Sequence, residues 1–319
     1  MAYATQNYGS ARTDLIQALR TQFEAAGYTI AGHEGESLCV KLGDDLFVEY
    51  NCKNTRYVSR GTGEYADSLS WRMGTSHNGA QVAGNTSPLE SHGIASRGWS
   101  GPKQHCPLPG KLHFCKTSVS GKLDYAFCLE NPTDSKGSTY VGAELDCVDP
   151  QFGAYKHFYL AGQYAVPGGS DEANPGPFHH TSDHTGPGYI RRQNADGTFH
   201  SYERAGYGIN STVDFNTINS FLPVGPHGFY DGIYDGLYFD PSLTTVLLPA
   251  IWGCVQPKST SSDGRFGAPP KGEFSQFKVG SMKYVGIGGE LVLDGKKYRL
   301  FPRIGKGGTN TAAIAIRES

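Results

Sequence analysis

The densest group of chemistry-bearing side chains is His179-His180-Thr181-Ser182-Asp183-His184, four potential metal ligands in six residues. Imidazole nitrogen and carboxylate oxygen are donors that zinc and similar ions accept, so a metal centre is the sharpest interpretation of this string. Pro177, Gly186, Pro187 and Gly188 surround it and disfavour the helix on which His180 and His184 would share a face. The expectation is therefore a polar loop whose histidines contact another subunit, with no metal and no cofactor. His105-Cys106 and the pair His113/Cys115 bring imidazoles near thiols, the ingredients of a cysteine nucleophile. Free cysteines are among the most buried residue types, and adjacent residues on a strand point to opposite faces, so these are expected to be packing residues. Carboxylates for acid–base work on a glycoside abound, but the separation that matters is spatial, and no pair is assigned. Gly61-Thr-Gly63-Glu-Tyr-Ala66 follows a predicted strand as a dinucleotide-binding turn would, yet no amphipathic helix comes after it to receive a pyrophosphate. The chain has no GxSxG elbow, HExxH pair, GxxxxGK[ST] loop or EF-hand spacing. No catalytic residue is assigned, and the protein is not expected to be an enzyme.

Contact chemistry is better represented. Tyr230-Asp-Gly-Ile, Tyr234-Asp-Gly-Leu and Tyr238-Phe-Asp form a short internal repeat. Tyrosine offers a large contact area at low entropic cost together with a hydroxyl, which suits an interface; a place in the monomer's own core is the alternative. Residues 166–188 carry Pro167, Pro175, Pro177 and Pro187 among five glycines, which forbids a central strand or a helix. A surface loop of that length is usually functional or subunit-binding. The candidate interface therefore comprises Pro167, Pro175, Pro177, His179, His180, His184, Tyr230, Tyr234 and Tyr238.

The elements that must carry these residues are mostly short strands. One helix is predicted over 11–26, where Leu15, Ile16, Leu19 and Phe23 share a face, with Ser10 as N-cap and Gly27 as terminator. After it the hydrophobic period becomes 2, predicting strands at 37–42, 46–50, 56–60 and 68–72. Glycines at 61, 63, 74, 79, 84, 93, 98 and 101 then predict extended loops with at most one strand between 61 and 101. A second strand group is predicted at 112–118, 123–129, 139–146 and 156–163, and later strands at 199–204, 228–239 and 243–252. Near the end, Gly289-Glu-Leu-Val-Leu293 and Lys296 to Phe301 flank Asp294-Gly295, the two-residue signature of a type I′ hairpin. Ala312–Arg317 is predicted to close the sheet.

The 43 glycines, 18 prolines and 18% charged residues of the 319-residue chain describe a turn-rich chain that still folds, and with 12% aromatics they favour a β-dominated protein. The expectation is mainly β, with sandwich-like antiparallel sheets, long loops and one N-terminal amphipathic helix, in a single domain 1–319 that could divide near 105. A net charge of −2 supplies no positive field for nucleic acid or an anionic membrane. The apolar run 246–255 is half a bilayer span and contains Pro249 and Gly253. No secretory signal is visible, and the seven cysteines are odd in number and never spaced CxxC. Reduced, buried thiols made in a cytosol are expected.

The helix Asp14 to Ala26 running into Gly27-Tyr28-Thr29-Ile30, the string Phe158-Tyr-Leu-Ala-Gly-Gln-Tyr-Ala-Val-Pro167, the closing Gly295-Lys-Lys-Tyr-Arg-Leu-Phe-Pro-Arg303 and Ile314-Ala-Ile-Arg-Glu318 follow one another along the chain. Taken together, this plan resembles virion structural proteins of tailed bacteriophages, the class that builds tail, neck, collar or baseplate. The resemblance implies a non-enzymatic subunit, partnered by copies of itself and by other virion proteins and located in the virion after synthesis in the host cytoplasm. It carries over no catalytic residue, and it does not account for the cysteines or the histidine-rich loop. The alternative is a carbohydrate-binding or carbohydrate-active β-protein, with aromatics stacking on sugars and two carboxylates in a cleft.

Overall fold

The computed structural model describes residues 2–59, 62–87, 106–133, 137–147, 157–162, 188–193, 197–199, 203–205, 221–223, 247–254, 270–281, 286–303 and 312–319. Among the described residues the chain is mainly β-strand, with antiparallel sheets in a sandwich-like arrangement and one N-terminal helix. The N-terminal strand β1 (Tyr3–Tyr8) leads into α1 (Arg12–Ala25). Strands β2 (Thr29–Glu34), β3 (Ser37–Gly43), β4 (Leu46–Ser59), β5 (Thr62–Asn78) and β6 (Gln81–Thr86) form a five-stranded sheet in that order. The larger sheet has β7 (Gly110–Lys116), β8 (Tyr125–Glu130), β9 (Gly137–Cys147), β15 (Pro270–Ser281), β16 (Gly289–Leu293), β17 (Lys296–Arg303) and β18 (Ala312–Arg317). Its main path runs β1-β7-β8-β9-β15-β18-β17-β16. Off that path lie β10 (His157–Gly162), β11 (Gly188–Gln193), β12 (Glu203–Ala205), β13 (Phe221–Pro223) and β14 (Leu247–Cys254).

The helix begins one residue later than expected. Ala11 rather than Ser10 is the N-cap, and because alanine has no cap oxygen the Asp14 carboxylate reaches back to accept the Ala11 N–H at 3.2 Å. At the other end Gly27, at φ 83°, allows Gly27 N–H to reach Glu24 O and Tyr28 N–H to reach Phe23 O. This is a Schellman closure, and its apolar partner contact is the Phe23–Tyr28 ring pair at 5.4 Å.

Strands β7 to β10 form a wall with two buried faces. Leu112, Phe114, Tyr125, Phe127, Leu129, Tyr140, Phe158 and Leu160 join the core shared with α1 and the five-stranded sheet. The alternate residues Cys115, Ala126, Cys128, Val141, Ala143 and Tyr159 join Phe274, Phe277, Phe301, Ile314 and Ile316 in a second core. Phe23 is the hub of the first, with ring centroids 4.9 Å from Phe114, 5.1 Å from Tyr125 and 5.8 Å from Tyr50. The buried Tyr50 and Tyr125 hydroxyls hydrogen-bond to each other at 2.6 Å, linking the two sheets through that core.

Several expected boundaries are corrected. The strands predicted at 46–50 and 56–60 are one strand, β4, and the region predicted as loops after Gly61 holds β5 and β6. The main chain of these stretches pairs across a continuous ladder, and hydrophobic period undercounts strands rich in polar residues and glycine. Strands β1, β2 and β15 were not anticipated. Ala312–Arg317 lies between β15 and β17, inside the sheet, and β16 is the terminal strand of the path. The hairpin at 289–301 is as expected, with Asp294 at φ 50° and Gly295 at φ 70°.

Candidate functional site

The terminal hairpin β16–β17 combines a firmly held root with an exposed apolar tip. Asp294-Gly295 sets the two-residue turn and thereby the register that places Glu290 opposite Arg299 and Val292 opposite Lys297. On that face Arg299 donates to Glu318 at 2.5 Å and Glu290 at 3.0 Å, while Lys297 meets Glu290 at 2.8 Å. The Arg299 guanidinium also stacks over the Tyr3 ring at 4.4 Å, which ties the hairpin to β1 across the curled sheet. At the tip, Val292 is 60% and Leu293 38% exposed. Among the described strands β16 pairs only with β17, so its outer main-chain edge faces away from the ladder.

Behind the root sits a buried relay. Glu130 Oε2 lies 2.6 Å from His113 Nε2, and Tyr3 Oη lies 2.9 Å from His113 Nδ1. Burial lowers the His113 pKa against the opposing pull of Glu130, so the imidazole is neutral. The consistent assignment is Nε2–H donating to Glu130 and Tyr3 O–H donating to Nδ1. Gly288 covers this site: a Cβ there would lie 1.8 Å from the Tyr3 hydroxyl. Burial pushes the Tyr3 hydroxyl up to about 12, so it stays protonated. The arrangement fastens β1, β7 and β8 to the hairpin.

The other candidate chemistry resolves into packing or buried polar groups. Cys115 lies two residues from His113 on the same strand face, but burial raises its pKa and keeps it a thiol. Cys106 is buried and likewise held as a thiol. Gly63 lies in β5, paired to Val58 of β4, so the dinucleotide-turn interpretation of Gly61 to Ala66 fails. The ladder continues where a helix N-terminus would be needed.

Asp124, Glu144 and Asp146 gather beside Lys122, with Lys122 and Ser275 both bonded to Asp146. Asp124 Oδ1 accepts the Glu144 N–H at 2.8 Å, and burial pushes the Asp124 carboxyl up to about 7. A cleft of about 280 Å³ near Lys122, lined by Ala2, Ala26, Lys116 and residues 117–122, has no aromatic among its described lining residues. Among the described residues, no group of three or more His, Cys, Asp or Glu side chains could hold a metal ion.

The nine candidate interface residues, Pro167, Pro175, Pro177, His179, His180, His184, Tyr230, Tyr234 and Tyr238, lie outside the described residues. Sequence reasoning missed Tyr3, Glu130, Arg299 and Glu318, because their association depends on which strands pair and, for Arg299 over Tyr3, on sheet curl. It also missed Val292 and Leu293, for which a signal existed: Leu291-Val292-Leu293 breaks period-2 alternation just before the turn. No protein-family model and no curated protein matches this chain.

Proposed function

We propose that this protein is a non-enzymatic structural subunit of a repeated virion assembly of the tail, neck, collar or baseplate kind. It works through contacts with copies of itself and with other virion proteins. The observation that carries this reading is the β16 edge, a terminal strand with exposed Val292 and Leu293 on a hairpin whose root is fixed by Arg299, Glu290 and Glu318. An open strand edge with apolar side chains is a template for another chain, and natural proteins usually blunt such edges when they are not used. The proline-rich segment 166–188 and the Tyr230, Tyr234 and Tyr238 repeat supply further contact surfaces in this proposal.

Native mass spectrometry at micromolar concentration, alone and with candidate virion proteins, tests it. A closed ring or a hetero-complex is expected, and Val292→Glu with Leu293→Lys should weaken assembly at least tenfold while leaving the monomer's Tm within about 2 °C, as surface substitutions do. A persistent monomer with every partner, or assembly indifferent to both substitutions, would count decisively against it.

A further inference from the structure

The outer edge of β16 offers main-chain groups as well as apolar side chains. On the far side of β17, the Lys297 N–H donates to Ser319 O at 3.1 Å, and Lys297 O accepts the Glu318 N–H at 2.7 Å. Both main-chain polar groups of Lys297 therefore point away from β16. Its ladder partner Val292 must then turn its own N–H and C=O outward, and by the period-2 alternation of a strand Glu290 does the same. Among the described residues no strand pairs with these groups. The two faces of β16 differ in character. Glu290 and Val292 share a face with Lys297 and Arg299, whereas Leu291 and Leu293 share the face of Tyr298 and Leu300, where Leu291 packs against a small apolar cluster of Tyr298, Leu300 and Ala315.

We infer that β16 pairs antiparallel with β16 of a second copy of this chain, about a two-fold axis at Leu291. The inference rests on the assembly reading above and names the partner and register of that same edge. Hydrogen bonding requires outward groups to face outward groups, and with the axis at Leu291 each Glu290 lies opposite the second copy's Val292, so that four main-chain bonds form across the seam. Charge selects this register. Centring the axis on Glu290 would set the two Glu290 carboxylates against each other, and centring it on Val292 would set Glu290 against Asp294; like charges directly opposite oppose pairing. In the Leu291 register each Glu290 keeps Lys297 and Arg299 as counter-ions. On the other face the two Leu291 side chains meet at the axis, and each Leu293 lies over the second copy's Gly289, where no side chain competes for the space. The two small apolar clusters thereby join into one. Such a contact is isologous and closed, and it satisfies an edge that would otherwise be a template for indiscriminate pairing.

The test uses the full chain with one added cysteine at a time, Leu291→Cys, Glu290→Cys or Val292→Cys, mildly oxidised, alkylated, digested without reductant and mapped by mass spectrometry. Leu291→Cys is expected to link to its own copy, because residues opposite each other in a non-hydrogen-bonded pair have Cα atoms about 4.5 Å apart, within disulfide reach. Glu290→Cys and Val292→Cys are expected to link to each other in a mixture and not singly. Sedimentation equilibrium up to submillimolar protein should show a dimer that Val292→Pro weakens at least about tenfold, since proline removes an outward N–H and no bond of the β16–β17 ladder. If Val292→Pro does not fold, the linkage map decides alone. Self-linkage of Glu290→Cys, or none in Leu291→Cys, would overturn the inference. If the chain assembles and Val292→Glu with Leu293→Lys abolishes that assembly while Leu291→Cys does not self-link, the assembly reading stands and the partner named here is wrong. A persistent monomer with every partner removes both.

Discussion

Asp124 is 1% exposed and its Oδ1 accepts the Glu144 N–H, while its Oδ2 has no hydrogen-bond partner among the described residues. Burial favours the protonated carboxyl and raises its pKa from 3.8 to about 7. Because the folded chain binds this proton more tightly than the unfolded chain, the associated stability is full below about pH 4 and is lost as pH rises through 7. Asp124→Asn keeps the acceptor and removes the charge. It should flatten the fall in stability between pH 4 and 7 and make the variant more stable at pH 8, by up to about 4 kcal/mol in urea unfolding. A variant less stable than wild type at pH 8 would refute this account.

His113 has the opposite sign. Its pKa is lowered by burial, so stability from the neutral ring is present above the unfolded value of 6.5 and lost as pH falls through the folded value. Titration of its ring protons by NMR should give a midpoint below 6.5. Protonation would turn Nδ1 into a donor and deprive the Tyr3 hydroxyl of its acceptor.

At the scale of elements, helix α1 is held less by propensity than by its two ends and by Phe23. Gly27 adopts a positive φ that an L side chain occupies only with strain, so Gly27→Ala should cost about 1–2 kcal/mol in chemical denaturation even though nothing lies within 4 Å of the added carbon. Phe23→Ala should cost about 3–5 kcal/mol, because the rings of Phe114, Tyr125 and Tyr50 cannot all close the space left behind. The sheet-to-sheet link can be separated in the same way. Tyr50→Phe should cost about 1–3 kcal/mol by leaving the buried Tyr125 hydroxyl without its partner, and adding Tyr125→Phe should recover part of that loss. Equal and additive losses would show that the hydroxyl pair is not coupled.

At the scale of the whole molecule, β7 to β10 act as a shared wall, so the two cores cannot be perturbed independently. Gly142 illustrates the constraint: a Cβ would fall 2.3 Å from the Tyr125 ring and 2.8 Å from the Phe158 ring. Gly142→Val should therefore destabilise the first core by about 3 kcal/mol or more, and near-UV circular dichroism should show the loss of aromatic order before strand content falls. Retained near-UV signal with wild-type stability would mean the wall tolerates displacement. The β16 edge stands apart from both cores, and for that reason charged residues at Val292 and Leu293 are expected to alter assembly without altering folding.

Composition and periodicity determined that this chain is β-rich, that one amphipathic helix precedes the strands and ends at Gly27, and that Asp294-Gly295 makes a hairpin. These features are local, because turn chemistry, capping and alternation are written within a few residues. That β7 to β10 are buried on both faces was less legible, since Gly142 and Glu144 on the first face and His113 and Thr139 on the second interrupt the apolar runs. Which side chains meet was decided only by tertiary structure: Tyr3 with His113, Tyr50 with Tyr125, Asp124 with Glu144. Their separations in the chain carry no periodic signal, and it is strand pairing within a ladder, for the first and last pairs, and the stacking of two sheets, for Tyr50 and Tyr125, that converts sequence distance into contact.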